Sequence, residues 1–478
     1  MKNVRVHLQA LVRMINLPTV LKTAILPGDT AETLFIATQV GEIFYIGDGV
    51  VETFLNIREQ VIRLGASGGG YDERGLLELA FHPQFNENGL FYLHYSVAGT
   101  QGPGALSGTF QPDPCDPGTQ NLRWTDRGVR YDHIDTIQEW VLEPDGQPRK
   151  LRTLLNLRRP FFNHNGVNSL NFSPETGKLV LTTGDGGSGY DPFHLSQNDM
   201  EVAGKIIEID VAMDAFTAEP PGVTRFDELP ESIQRTLTVI VKGVRNIPGI
   251  AYQLINNQYI KYVGNVGQDL VESVFSFVQY NPVPVVQLVQ TYGSDSASDR
   301  EGFPYDGAAL MNLGWPGWEG LFHTSTIRDC PGNMALKEKI FAYYSEAVVV
   351  SPFRLLPLIS YFHQDSRRNK FAGTALTGVQ PYMGNAIPDL AGKVLFTDFV
   401  LRGQPPATVR GVLAYTDIRT DCKLNDFSII DVDYNFGSQS AYYVSLGTNM
   451  DQTRLFLGVY GSANVTNLNQ GTIFEITP

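Results

Sequence analysis

One short strand pattern recurs along the chain, and it limits the fold more than any other feature. Each copy joins apolar, aromatic and β-branched residues and often ends on a small or acidic one. The copies are Leu34-Phe-Ile-Ala-Thr, Leu90-Phe-Tyr-Leu-His-Tyr, Leu179-Val-Leu-Thr-Thr-Gly-Asp, Tyr259-Ile-Lys-Tyr-Val-Gly, Val394-Leu-Phe-Thr-Asp and Leu455-Phe-Leu-Gly-Val-Tyr. Second strands follow several of them, as at Gly41-Glu-Ile-Phe-Tyr-Ile, Gly204-Lys-Ile-Ile-Glu-Ile-Asp and Gly471-Thr-Ile-Phe-Glu-Ile. Neighbouring copies start from 56 residues (34 to 90) to 135 residues (259 to 394) apart. Such spacing predicts an all-β chain, a six-bladed β-propeller with long inserted loops. A multi-sheet sandwich is the alternative that strand signals leave open. Composition agrees: 47 of 478 residues are glycine and only 18% are charged, which suits many short strands and tight turns.

Helical periodicity is scarce. Residues 4–15 fit a strand or a short helix. Gly, Pro and polar residues mark inserted loops at about 97–135, 281–311 and 321–352. No linker divides the chain, so residues 1–478 are expected to form one domain.

Thirty-six basic and 50 acidic side chains leave a net charge of −14. That balance argues against a nucleic-acid partner, because phosphate contacts need a basic face. No apolar stretch is long enough for a membrane span. His7, Gln9 and Arg13 break the apolar run that a signal peptide needs. The expected location is therefore cytoplasmic or packaged in a particle, with secretion expected only for an already mature sequence. Cys115, Cys330 and Cys422 are far apart and odd in number, which fits a reducing compartment; one disulfide stays open. Sequons at Asn171 and Asn464 matter only on a secretory route.

Three Gly-rich segments could carry chemistry. Asn163-His164-Asn165-Gly166 precedes a strand, and Gly184-Asp185-Gly186-Gly187 follows the next. A hairpin would bring His164 and Asp185 together, so that the imidazole could act as general base while the carboxylate fixes its tautomer. The plainer alternative is a capped turn and an Asx-turn. Gly243-Val-Arg245-Asn246 could offer a guanidinium to a carboxylate or a sugar oxygen. Gly264-Asn-Val-Gly267-Gln268-Asp269-Leu-Val-Glu272 could offer hard oxygens to calcium, or be only an acidic surface turn. Asn312-Leu-Gly314-Trp315-Pro316 reads as an aromatic packing device.

These segments, with Glu73-Arg74-Gly-Leu-Leu-Glu78 and Ala80-Phe-His-Pro83, fall in the order of a known pattern. As a set, from about residue 72 to 320, they resemble the glucose/sorbosone dehydrogenase family. That family includes soluble aldose dehydrogenases that use pyrroloquinoline quinone and the propeller of Hedgehog-interacting-type proteins. The resemblance implies a six-bladed propeller that oxidises an aldose or related sugar alcohol. It implies His164 as base, Asp185 as its orienting partner and Arg245 at the substrate or quinone. It implies quinone contacts from Glu73, Arg74, Asn246 and Arg402. Gly267, Gln268 and Glu272 are the implied calcium ligands, with calcium as Lewis acid.

The chain departs from that pattern in charge. Leu401 stands at an expected lysine, Ser440–Val444 holds no arginine where a pair is usual, and Glu78 replaces a glycine. Three classes therefore stay open: a sugar oxidoreductase, a catalytically degenerate propeller that binds or self-assembles, and, more weakly, a calcium-dependent lactonase.

Overall fold

The computed structural model describes residues 4–47, 49–65, 70–99, 124, 127–166, 170–278, 280–292, 310–324, 354–363, 370–401, 409–418 and 424–478. Nearly all of its regular structure is β, and its α-helices are Phe85–Asn88, Glu231–Gln234 and Val285–Tyr292. The strands form antiparallel four-stranded units of the β-propeller type, each paired in chain order. The first holds Pro18–Ile25, Glu32–Thr38, Glu42–Gly47 and Val50–Asn56. The next holds Leu76–Phe81, Leu90–Ala98, His133–Leu142 and Pro148–Arg159. Then come Asn171–Phe172, Leu179–Thr182, Lys205–Ile209 and Leu237–Lys242. Ile250–Ile255, Gln258–Asn265, Val271–Phe277 and Pro357–Phe362 follow, and after them Leu376–Tyr382, Lys393–Asp398, Val412–Thr416 and Phe427–Asp433.

The last unit joins the two ends of the described chain. Tyr442–Thr448, Leu455–Tyr460 and Gly471–Thr477 are completed by Val4–Ile15, whose Leu8 pairs with Ile476. Residues 4–15 are thus a strand. Their burial alternates from Val4 to Leu8, which is strand period, not helix period.

The recurring apolar strands sit second in their units and bury their side chains between neighbours. Phe35 is fully buried and packs edge-on against Phe54 at 5.1 Å and beside Phe81 at 4.6 Å. Each such aromatic contributes about 1.5–3 kcal/mol through burial. The first strands of the units enclose a cavity of about 660 Å³. There Lys22 Nζ lies 3.0 Å from Glu78 Oε1 and donates to the Leu170 carbonyl at 2.5 Å. Burial raises the Glu78 carboxyl, and Lys22 offsets only part of that rise.

Within the span expected as an inserted loop at 281–311, Val285–Tyr292 is a helix. Val285 and Leu288 are buried and Val289 packs beside them, a spacing of three and four that marks one helix face. Most of the spans 97–135 and 321–352, and all three cysteines, lie outside the described residues.

Two kinds of connection share one end of the units: those from the fourth strand to the next first strand, and those from second to third strands. Glu73, His164 and Arg245 lie on the former; Asp185 and Gln268 lie on the latter.

Candidate functional site

His164 and Asp185 flank the hairpin Asn171–Phe172/Leu179–Thr182, and antiparallel pairing draws their loops together. His164 Nδ1 lies 2.8 Å from Asp185 Oδ1, and both residues are buried. A carboxylate can only accept, so Nδ1 carries the proton and Nε2 is the nitrogen able to take another. Asp185 Oδ1 also accepts the Gly187 N–H at 2.9 Å, an Asx-turn, so the turn expected as the plainer alternative coexists with the dyad. Its Oδ2 accepts the Trp315 indole N–H at 2.8 Å.

The loop backbones touch. A Cβ on Gly184 would sit 1.6 Å from the His164 carbonyl oxygen, so only glycine allows this approach. His164 itself has φ 58°, a left-handed conformation that costs a non-glycine residue about 1 kcal/mol or more. Its N–H donates to Glu73 Oε2 at 2.7 Å, and Arg159 Nη2 donates to its carbonyl at 2.7 Å. Those two bonds hold the strained residue in place.

Arg245 stands beside the dyad. Its backbone carbonyl accepts the Asp185 N–H at 2.8 Å. Its guanidinium carbon lies 5.5 Å from the Trp315 ring centroid, and Nη2 donates to Gln268 Oε1 at 2.9 Å. Nη1 reaches the Val266 carbonyl at 3.4 Å. Both hydrogen-bond partners are neutral, so the guanidinium can still accept an anionic group. Asn246 Oδ1 accepts the Gly166 N–H at 3.1 Å, and its Nδ2 reaches Glu73 Oε2 at 3.4 Å. Tyr71 donates to the other oxygen of Glu73. Glu73, His164, Asn246 and Gly166 thus form one connected cluster.

The turn at 266–272 is held from below by two buried carboxylates. Glu272 takes the Gly267 N–H on both oxygens at 3.2 Å, the Leu376 N–H at 3.0 Å and His363 Nε2 at 2.6 Å. Glu319 takes the N–H groups of Asp269, Leu270 and Val271 at 3.3, 2.9 and 3.2 Å. Burial raises the Glu319 carboxyl, and the Leu270 and Val271 N–H groups oppose that rise. The Gly267 and Gln268 carbonyls, expected as calcium ligands, are hard oxygens of the type that calcium takes. Glu272, of the same expected set, accepts from three donors. Among the described residues, no three His, Cys, Asp or Glu side chains cluster as a metal site.

Positive charge at the site is scarce. Arg74 is buried between Asp72 and Asp132, at 2.7 and 3.1 Å. Arg402 lies outside the described residues. A quinone with three carboxylates would meet one guanidinium without a carboxylate hydrogen-bond partner, Arg245, among the described residues of the site. Sequence reasoning missed two participants. Trp315, read as a packing device, binds Asp185 and lies under Arg245. Glu319 braces the turn, and nothing in its local sequence marks that role. Tyr190, which donates to Asp269, ties the dyad loop to the same turn.

A family model described as Glucose / Sorbosone dehydrogenase matches residues 19–304. The HIPL1 protein of Arabidopsis thaliana is 22% identical over 406 residues, covering 78% of this chain and 50% of that protein. The Hedgehog-interacting protein of Mus musculus is 27% identical over 199 residues, 40% of this chain and 24% of that protein. The chain thus spans about half, or less, of the length of these curated relatives. Among solved structures, the PQQ-bound aldose sugar dehydrogenase of Streptomyces coelicolor is 14% identical with a TM-score of 0.53, over 100% of this chain and 99% of that one. The apo-form soluble aldose sugar dehydrogenase of Escherichia coli is 13% identical with a TM-score of 0.54, over 99% of both chains. These likenesses concern the fold.

Proposed function

The chain belongs to the glucose/sorbosone dehydrogenase family, and on that premise we propose that it is a six-bladed propeller oxidoreductase acting on a sugar hydroxyl. The four-stranded units, counted through the one that joins both ends, support six blades. The observation that carries the chemistry is His164 Nδ1 at 2.8 Å from Asp185 Oδ1, with Trp315 fixing the far oxygen.

In this reading His164 Nε2 takes the hydroxyl proton of the sugar while the carbon bearing that hydroxyl gives up hydride. The carbon–oxygen bond becomes a carbonyl, and an aldose leaves as its lactone. Asp185 holds the imidazole in the tautomer that presents Nε2 and stabilises the imidazolium that forms. Such a base contributes roughly 10²–10⁴-fold. Arg245 orients the bound groups from the face of Trp315, and Asn246 braces the His164 loop through Gly166. When bound, a pyrroloquinoline quinone supplies the two-electron hydride acceptor, and calcium at the Gly267 and Gln268 carbonyls would polarise it. Arg245 and Asn246 are the described residues that would hold the quinone.

The experiment is turnover of an aldose panel with added quinone, calcium and a reducible dye, comparing the wild type with His164→Ala. Loss of turnover in the variant with unchanged quinone affinity supports the base assignment; equal turnover overturns it.

One observation favours a second reading, a binding propeller without turnover. Glu73 places a carboxylate beside His164 and Asn246, whereas among the described residues of the site Arg245 is the guanidinium without a carboxylate hydrogen-bond partner. The similar Hedgehog-interacting protein of Mus musculus is named for an interaction and not for a reaction. Failure to bind the quinone would favour this reading.

A further inference from the structure

Arg159 lies at the end of the strand Pro148–Arg159 and is buried at 2% exposure. Its Nη2 donates to two backbone carbonyls, His164 at 2.7 Å and Gly184 at 3.2 Å. Its Nε reaches Asn165 Oδ1 at 3.4 Å. These carbonyls belong to the two loops that carry the dyad. One is that of His164 itself, and the other belongs to the residue before Asp185. Two carbonyl dipoles that converge repel each other, and a cation between them turns repulsion into attraction.

The guanidinium, charged as arginine always is, ends a buried chain of alternating sign. Asp135 Oδ2 lies 3.3 Å from Arg159 Nε. His133 lies between carboxylates, with Nε2 3.3 Å from Asp135 and Nδ1 2.7 Å from Asp132. Arg74 then joins Asp132 to Asp72. Taken with His133 protonated, the six residues Asp72, Arg74, Asp132, His133, Asp135 and Arg159 carry three negative and three positive charges, so none is left unbalanced. Ser96 Oγ fixes Asp135 from another strand at 2.8 Å.

We infer that Arg159 is the positioning residue of the dyad, setting the His164–Asp185 contact by clamping the two loop carbonyls together. This rests on the oxidoreductase reading only for its effect on rate. The geometric effect is independent of any substrate. Arg159 touches no reacting atom and works through His164 and Asp185.

The test uses the full chain and the variants Arg159→Met and Arg159→Lys. The first readout is the proton NMR resonance of His164 Nδ1–H, identified by its loss in His164→Gln. In the wild type it should lie downfield, as expected for a proton held by a carboxylate. Arg159→Met should move or broaden it, and Arg159→Lys, which keeps the charge, should restore part of it. If Arg159→Met fails to fold, Arg159→Lys is read alone and should still shift the resonance. The second readout is turnover with quinone and calcium. Misplacement of a dyad by about 1 Å costs on the order of 10²-fold, so kcat should fall by about 10- to 100-fold while KM changes little. An unshifted resonance in a folded Arg159 variant overturns the inference, whether or not the wild type turns over. A shifted resonance in a protein without turnover leaves the positioning role standing and counts against the oxidoreductase reading alone.

Discussion

The backbone of Gly184 lies against that of His164 so closely that a Cβ at position 184 would approach the His164 carbonyl oxygen to 1.6 Å. The contact is backbone against backbone, so no side-chain rotation relieves it. Gly184→Ala should therefore separate the two loops. We expect a loss of about 2–4 kcal/mol in urea unfolding, together with loss of the His164 Nδ1 resonance. A variant as stable as the wild type would show that the loops can part at little cost.

Asp185 has both oxygens committed, one to His164 and Gly187 and the other to Trp315. Asp185→Asn keeps the shape but lets the imidazole settle in the other tautomer. We expect kcat to fall by about 10²–10⁴-fold while the protein remains folded. Trp315→Phe removes one bond from the same carboxylate and should cost less, about 10-fold or below, measured in the same dye-linked assay.

Arg245 is the described cation with neutral hydrogen-bond partners at the site. A charge-assisted contact is worth about 1.5–3 kcal/mol, so Arg245→Gln should weaken quinone binding by roughly 10- to 150-fold. Equilibrium titration followed by the quinone absorbance measures this directly. Unchanged affinity would place the cofactor elsewhere.

Lys205 is buried, and its Nζ donates to the carbonyls of Leu195, Ser196 and Ala203 at 3.0, 3.1 and 2.8 Å. Burial pulls its ammonium down to about 7, against the opposing pull of Asp199. An unfolded lysine titrates near 10.4. Between about pH 7 and 10 the unfolded chain therefore binds more protons, and stability rises with pH. That gain is lost progressively as pH falls from about 10 to 7, below which both states carry the proton. Lys205→Met should lower stability overall and flatten this rise, seen as Tm against pH. Parallel curves for the two proteins would contradict it.

Much of the strand framework was legible in the sequence. Copies such as Leu34–Thr38 and Leu455–Tyr460 are continuous apolar runs because they lie second in their units and are covered on both faces. The His164 and Asp185 segments were legible for a related reason, since glycine marks where backbones must approach. Val285–Tyr292 was not, because eight residues among loop-like neighbours give too few turns for helical period to stand out. The buried charges were hidden more deeply. Asp72, Arg74, Asp132, His133, Asp135 and Arg159 come from three segments; Arg74 was expected at the quinone, and the others look in sequence like ordinary surface charges. Strand pairing sets His133 opposite Arg159, and the ion pairs through Asp135, Asp132 and Arg74 make the six one chain. The second role of Trp315, beyond packing, was hidden for a similar reason: its indole N–H meets a carboxylate 130 residues away.

The most direct test is to load the purified protein with quinone and calcium, add an aldose without any dye, and follow the quinone absorbance through a single turnover. Reduction of the bound quinone by the wild type, slowed at least 100-fold in His164→Ala at equal cofactor occupancy, is the result expected here. A quinone that binds but is reduced equally fast in both proteins would contradict His164 as the base. A wild type that binds no quinone at tens of micromolar would contradict the oxidoreductase account itself.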